Sequence, residues 1–336
     1  MNHHFKAIPL SKTERQQQAE KQLVFERQIQ ALERSISCKA HGFFGPQSMT
    51  WTIYREPSLL LGGVSALLLQ IAHPAIAEGV RQFSNFHQAY LHRAHRTFMA
   101  MSHFYFGHTH TAMKTARHLH HMHGWIRGTV DRKVAGVTQK VPFCAQDAEL
   151  LCWVLSTLVA TSLQVYELMH PPLNRAQKHR FFEESKTLAL LMGIPQQDYP
   201  TNYQAFEAYY ANMLASDQLE IGTTALDLAQ LILHPPYASQ RLLKMMGGTF
   251  LPPTLAKAYR IELSMREQQM MQRLLKGSRY LLRLLPTSLR SAPPYHQAHY
   301  RVKKAAGKNP IHLGAVYDWL AQAVHFPFCI PPASSF

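Results

Sequence analysis

The chain has 336 residues, 46% of them hydrophobic and 16% charged. A charged fraction below the roughly 25% of ordinary globular proteins excludes wholesale disorder, and the length suits one large domain or two small ones. Thirty-five Lys and Arg against 20 Asp and Glu give a formal net charge of +15, which favours an anionic partner, but no zinc-finger, RNP or basic-zipper pattern accompanies it and no nucleic-acid partner is expected.

Helical patterning starts near the N-terminus. Residues 11–35 read as an amphipathic helix with Leu23, Val24, Ile29 and Leu32 at helical spacing. GFFGP at 42–46 breaks the chain. The expected organisation is an N-terminal helix and linker over 1–41, a helical domain over 42–310, and a C-terminal helix with a proline-rich tail over 311–336. An apolar helix over 58–72 should stop near His73-Pro74, because proline disfavours the helical conformation of the residue before it. Helices follow over 93–105, with Gly107 as a stop, and over 111–127. Residues 129–141 form a hairpin or a plain loop. The strongest helical segment, 147–168, ends at Pro171-Pro172. Further helices are expected over 176–192, capped by Gly193, then 204–216, 224–233, 253–275 and 280–284. Long alternating strands and 20–50-residue repeats are absent, so the fold class is all-α, as a single large multi-helix domain.

Two uncharged runs raise the question of a membrane. Residues 57–77 are long enough to span a bilayer, but Gly62, Gly63, Gln70, His73 and Pro74 interrupt them. Residues 150–166 are short for a span. Both are expected as buried core helices. Cys38, Cys144, Cys152 and Cys329 form no CxxC pair, and the polar start MNHHFKAIPLSKTERQQQ lacks an apolar signal region. Reduced thiols and a cytoplasmic protein are the expectation.

Three groups of residues could carry chemistry. Arg93, Arg96 and Thr97 stand at i, i+3 and i+4, so on a helix they share a face that can hold an anion or a bound oxygen species, or is simply a solvated basic face. HLHHMHGWIRG at 118–128 puts four histidines in six positions. Within it, His123 and Arg127 are one turn apart, an imidazole for iron or zinc beside a guanidinium for a carboxylate such as a haem propionate. The alternative is a polar, histidine-rich helix face. A di-iron bundle needs two Glu-x-x-His motifs, and only Glu167–His170 provides one. No HExxH, GxSxG, phosphate-binding loop or dinucleotide fingerprint is present, which lowers zinc hydrolase, serine hydrolase, kinase and nicotinamide enzyme alike.

The order of segments is more specific than any one of them. LLLGGVSALLLQIAHPAIAEGV, Ser84, Arg93-x-x-Arg96-Thr97, FGH at 106–108, HGWIRG at 123–128, DAELLCWVLSTLVATSLQVY, the stretch ALLMGIPQQDYPTNYQAFEAYY and LRLLPTSLR occur in sequence. Together they resemble the family containing rubber oxygenase (latex clearing protein) and the mycophenolic-acid-pathway oxygenase, over most of residues 50–290. The resemblance implies an all-helical domain enclosing non-covalent haem b. His123 would be the proximal iron ligand and Arg127 a propionate partner. Arg93 and Thr97 would sit buried on the distal helix, donating hydrogen bonds to bound oxygen. Arg96 stands where rubber oxygenase has a lysine that can reach the iron, and a guanidinium, which keeps its proton, is a poor ligand. Leu155 stands where the family usually has a histidine. His118, His120 and His121 are left as helix surface.

The implied activity is dioxygen-dependent oxidative cleavage of a hydrophobic, alkene-like substrate, isoprenoids included. The alternatives are a haem-binding or sensing protein without turnover and a helical interaction protein without cofactor. A basic surface and an amphipathic N-terminal helix would suit peripheral contact with anionic lipid.

Overall fold

The computed structural model describes residues 12–308 apart from 37, 84–85, 135–136 and 236–238, and gives the backbone alone at 14, 83, 86–94, 132–134, 137, 283 and 288–289. The chain is all-α with one small hairpin. The order is α1 (Lys12–Arg34), α2 (Met49–Tyr54), a 3₁₀ turn (Pro57–Gly62), α3 (Gly63–Ile71), α4 (Pro74–Phe83), α5 (Phe86–Phe106) and α6 (Thr109–Trp125). Strands β1 (Arg127–Val134) and β2 (Val137–Cys144) then pair antiparallel, with Arg127 opposite Cys144. After them come α7 (Ala148–Met169), α8 (Arg175–Met192), α9 (Tyr203–Ala215), α10 (Thr223–Leu233), α11 (Gln240–Phe250), α12 (Pro253–Ala258), α13 (Met265–Leu284), α14 (Thr287–Arg290) and α15 (Pro293–Ala305).

Helix α7 is the axis of the molecule. It carries no charge between Glu149 and Glu167, so every face can be buried. Leu151, Leu155 and Val159 pack with Trp51, Phe104, Phe181 and Phe182. Trp153 joins a second cluster with Leu68, Leu228 and Ile232, while Val165 and Met169 meet Met245, Phe250 and Met271. The buried aromatics keep their polar tips paired: the Trp153 indole donates to the Leu69 carbonyl at 3.0 Å, Trp51 to Tyr105 at 2.9 Å, and the Tyr259 hydroxyl to Leu68 at 2.8 Å.

The apolar run that starts at Pro57 is divided. Pro74, expected only as a stop, also opens α4, where its missing N–H is harmless in the first turn, and the two halves meet at 102°. The expected helix over 253–275 is likewise two helices. Arg260 takes a left-handed conformation (φ 57°), and Ser264 starts α13 afresh through a capping box with Glu267. That helix then runs through 280–284 without a break. Gly193 ends α8 as expected, at φ 89°, with Ile194 N–H returning to the Ala189 carbonyl.

Helix α1 lies on the body of the protein, not apart from it. Phe25 and Ile29 are buried in the main cluster, and Leu32 packs beside them; Leu23 and Val24 face outward. The tail at 311–336, with Cys329, and Ser84 lie outside the described residues.

Candidate functional site

Helices α5 and α6 pack on one another across a hinge at Gly107, with His103 Nδ1 2.9 Å from the Thr115 hydroxyl. At 1.5 Å per residue, Arg93 lies about 21 Å and His123 about 24 Å from that hinge. Both therefore lie well along their helices from the turn. The backbone of Arg93 is helical, but its side chain lies outside the described residues; Arg96 and Thr97 are exposed. The expectation of a buried Thr97 is thus not met.

The four histidines of α6 have different surroundings. One stripe of the helix (Ala112, Met113, Ala116, His120, Gly124) faces the core. His118 and His121 are exposed, and His121 accepts from the Trp125 indole at 3.2 Å. His120 is not a surface group, as the sequence suggested. It is 5% exposed, stacked on Phe25 of α1 with centroids 4.0 Å apart, and burial pushes its pKa down to about 4. A neutral ring there satisfies the apolar neighbour. His123, three residues on, is half-buried in the last turn. Its carbonyl accepts from Ile126 N–H at 3.1 Å and faces the Cys144 thiol at 3.8 Å.

Arg127 is not on the helix. The sequence suggested a helical i, i+4 pair with His123, but α6 ends at Trp125 and Arg127 is the first residue of β1. Its guanidinium reaches back, with Nε donating to the Gly124 carbonyl at 2.9 Å. That closes an orphan carbonyl at the helix C-terminus, where a cation is favoured. The other arm of the fork donates to the Gln18 amide oxygen of α1. Among the described residues Arg127 has no carboxylate partner.

Helix α1 is thereby a wall of this region. Lys21 pairs with Asp147 at 3.2 Å, and Arg117 with Glu26 at 3.1 Å. Asp147 also accepts from Cys144 N–H at 2.7 Å, while Gln146 donates to the His120 carbonyl at 2.8 Å. Gly124 leaves room for Gln18: a Cβ there would stand 2.1 Å from the Gln18 amide nitrogen. Gln18 and Gln146 had no local signature, since each acts on a partner far along the chain. Leu155 is fully buried among apolar side chains. Among the described residues no group of three or more His, Cys, Asp or Glu gathers to hold a bare metal ion. A haem asks for less, one imidazole and a cation for its carboxylates.

A family model described as ER-bound oxygenase mpaB/B'/Rubber oxygenase, catalytic domain, matches residues 51–280. Helix α1 lies outside that match. Two curated relatives are each 25% identical over 172 residues, 48% of this chain and 67% of their own length: the uncharacterized protein Mb2261 of Mycobacterium bovis and the uncharacterized protein Rv2237 of Mycobacterium tuberculosis. No solved structure matches the chain.

Proposed function

The chain belongs to the mpaB/rubber oxygenase catalytic-domain family, and from that premise we propose that it is a haem b-dependent oxygenase. In this reading it uses dioxygen to cleave a hydrophobic, isoprenoid-like substrate. The observation that carries the proposal is the junction of α6 and β1. There a half-buried imidazole and a guanidinium without a described carboxylate partner flank a single helix turn. The donor set fits the group, because a neutral histidine nitrogen is an iron ligand and an uncompensated arginine suits a propionate.

In this reading His123 would hold the iron, and its ring would be steered by the turn that fixes its carbonyl to Ile126. Arg127 would keep one N–H on Gly124 and turn the rest of its fork to a propionate, sharing or releasing Gln18. Arg93 and Thr97, on α5, would donate hydrogen bonds on the dioxygen side. Arg96 would stay protonated beside them as a fixed charge. Bound haem would supply the electron exchange with dioxygen for which no side chain of this chain is equipped. Apolar faces of α3, α4 and α7 would suit contact with an alkene-like substrate. Cytoplasmic placement belongs to the same proposal, supported by the free thiols Cys38, Cys144 and Cys152.

The test is an absorption spectrum of protein loaded with haem, beside His123→Ala. A Soret band in the parent that is lost or shifted in the variant supports the reading. Dioxygen uptake with a polyisoprenoid then tests turnover. A colourless parent after haem supplementation would sink it.

A further inference from the structure

Helix α13 is apolar on two adjacent stripes, and only one of them is used. Met271 and Leu275 are buried, and Leu282 is packed beside them against α7 and α11. The second stripe, Met270, Leu274, Gly277, Leu281 and Leu284, follows a 4-3-4-3 spacing that keeps it on one side of the helix. It points into solvent: Met270 is 39% exposed, Leu274 43%, Leu281 57% and Leu284 64%. A Cβ on Gly277 would meet nothing within 4 Å, so the middle of the stripe is an open dip, edged by Arg273 and Ser278. Large apolar side chains in a contiguous exposed row mark an interaction surface.

The charge around the stripe says what covers it. Helix α13 carries Arg266, Arg273, Lys276, Arg279 and Arg283 against one acid, Glu267. Glu267 is occupied by Ser264 and Lys244. Arg266, Arg273 and Lys276 are exposed and have no acidic partner among the described residues. Stepping 100° per residue, all three lie on the side of the stripe away from the buried face. The neighbouring helix α11 adds exposed Leu242 and Arg241 to the same basic, apolar character. A second copy would bring these three cations against the same three, which is repulsive. An anionic bilayer meets both demands, since its acyl region takes the leucines and its headgroups take the cations.

We propose that the outer face of α13 docks the protein on anionic lipid, lying in the plane of the headgroups along its length of about 30 Å. This moves the membrane contact expected of the N-terminal helix to the other end of the chain, because the inner face of α1 is committed to the core. The proposal does not depend on haem, and the apoprotein tests it.

The experiment is co-sedimentation of the full chain with phosphatidylcholine vesicles, with and without about 30 mol % phosphatidylserine. It compares the parent, Leu281→Glu/Leu284→Glu, Arg266→Gln/Arg273→Gln and, as a control on α1, Leu23→Glu/Val24→Glu. All these positions are exposed, and far-UV circular dichroism confirms folding. The expected result is binding to anionic vesicles that weakens with salt, falls about ten-fold in either α13 variant and is unchanged in the α1 control. Equal binding by parent and α13 variants, or absence of binding at low salt, overturns the proposal. So does concentration-dependent self-association in the absence of vesicles that Leu281→Glu/Leu284→Glu abolishes, since the face would then belong to a second copy.

Discussion

His120 and His123 stand less than one turn apart on α6, yet one is sealed under Phe25 and the other is half-open. The sealed one makes the protein acid-sensitive. Its pKa falls from 6.5 to about 4 on folding because burial disfavours the imidazolium. Between those values the unfolded chain takes a proton that the folded chain refuses. Stability is therefore full above pH 6.5 and declines as the pH falls toward 4, by on the order of 2 kcal/mol for this group. His170, also pushed down to about 4 by burial, works in the same direction. Urea unfolding at pH 7 and pH 5 should show the loss, and His120→Phe should flatten the slope by about one proton. An unchanged slope would mean that His120 is already open to solvent in the native state. Leu155 offers a second check at this scale. Restoring a histidine at this fully buried position places an unpaired polar ring among apolar side chains, and Leu155→His should cost about 2–4 kcal/mol in the same assay. Gly42 is a third, at φ 70° with the Gly107 carbonyl 2.1 Å from where a Cβ would stand. Gly42→Ala should destabilise by about 2 kcal/mol or more.

Among the elements, α1 is the one whose position changes the reading of the site. Its Gln18 holds the guanidinium proposed for a propionate. If Arg127 is shared in this way, Gln18→Ala frees it, and haem uptake followed at the Soret band should be faster than in the parent. Arg127→Ala should slow uptake or weaken binding. Equal uptake by parent and Gln18→Ala would show that the amide does not compete. What the sequence made legible follows local physics. Helix α7 was plain because it lacks charge over four turns, and the end of α8 because only glycine rests easily at φ 89°. The all-α class and the family followed from such segments in order. The sequence does not reveal α2, α4, α11, α14 or α15. Pro74 reads as a stop until the corner it opens is seen, and α15 is rich in His, Lys and Arg, with few apolar residues to set a period. Spacing alone places Arg127 on α6 because nothing local marks the change from helix to strand at Ile126. The burial of His120 depends on Phe25, 95 residues away, and contacts of that range leave no trace in spacing. The side chain of Arg93 lies outside the described residues, and the roles of all five candidate site residues rest on the proposed reading.

For the whole molecule, loading by a ligand that binds only the folded form must raise its unfolding temperature with ligand concentration. Haem titrated into the apoprotein should therefore raise Tm progressively, and His123→Ala should lose most of that rise. A shift of equal size in both would indicate adventitious binding elsewhere. The same molecule holds, between residues 57 and 77, an uncharged apolar string that turns through 102° at Pro74. A ribosome delivers that string in linear form, before α7 exists to receive it. Insertion machinery that weighs apolar length alone meets a candidate for the lipid phase. Gly62 and Gly63 interrupt it early, and Gln70, His73 and Pro74 at the bend. Replaced by leucines, they would leave the uncharged run 57–77 as one straight rod of about 32 Å, just over the roughly 30 Å a bilayer core requires. Three side chains at a bend thus separate two fates for one stretch of chain, a wall inside a protein or an anchor in a membrane.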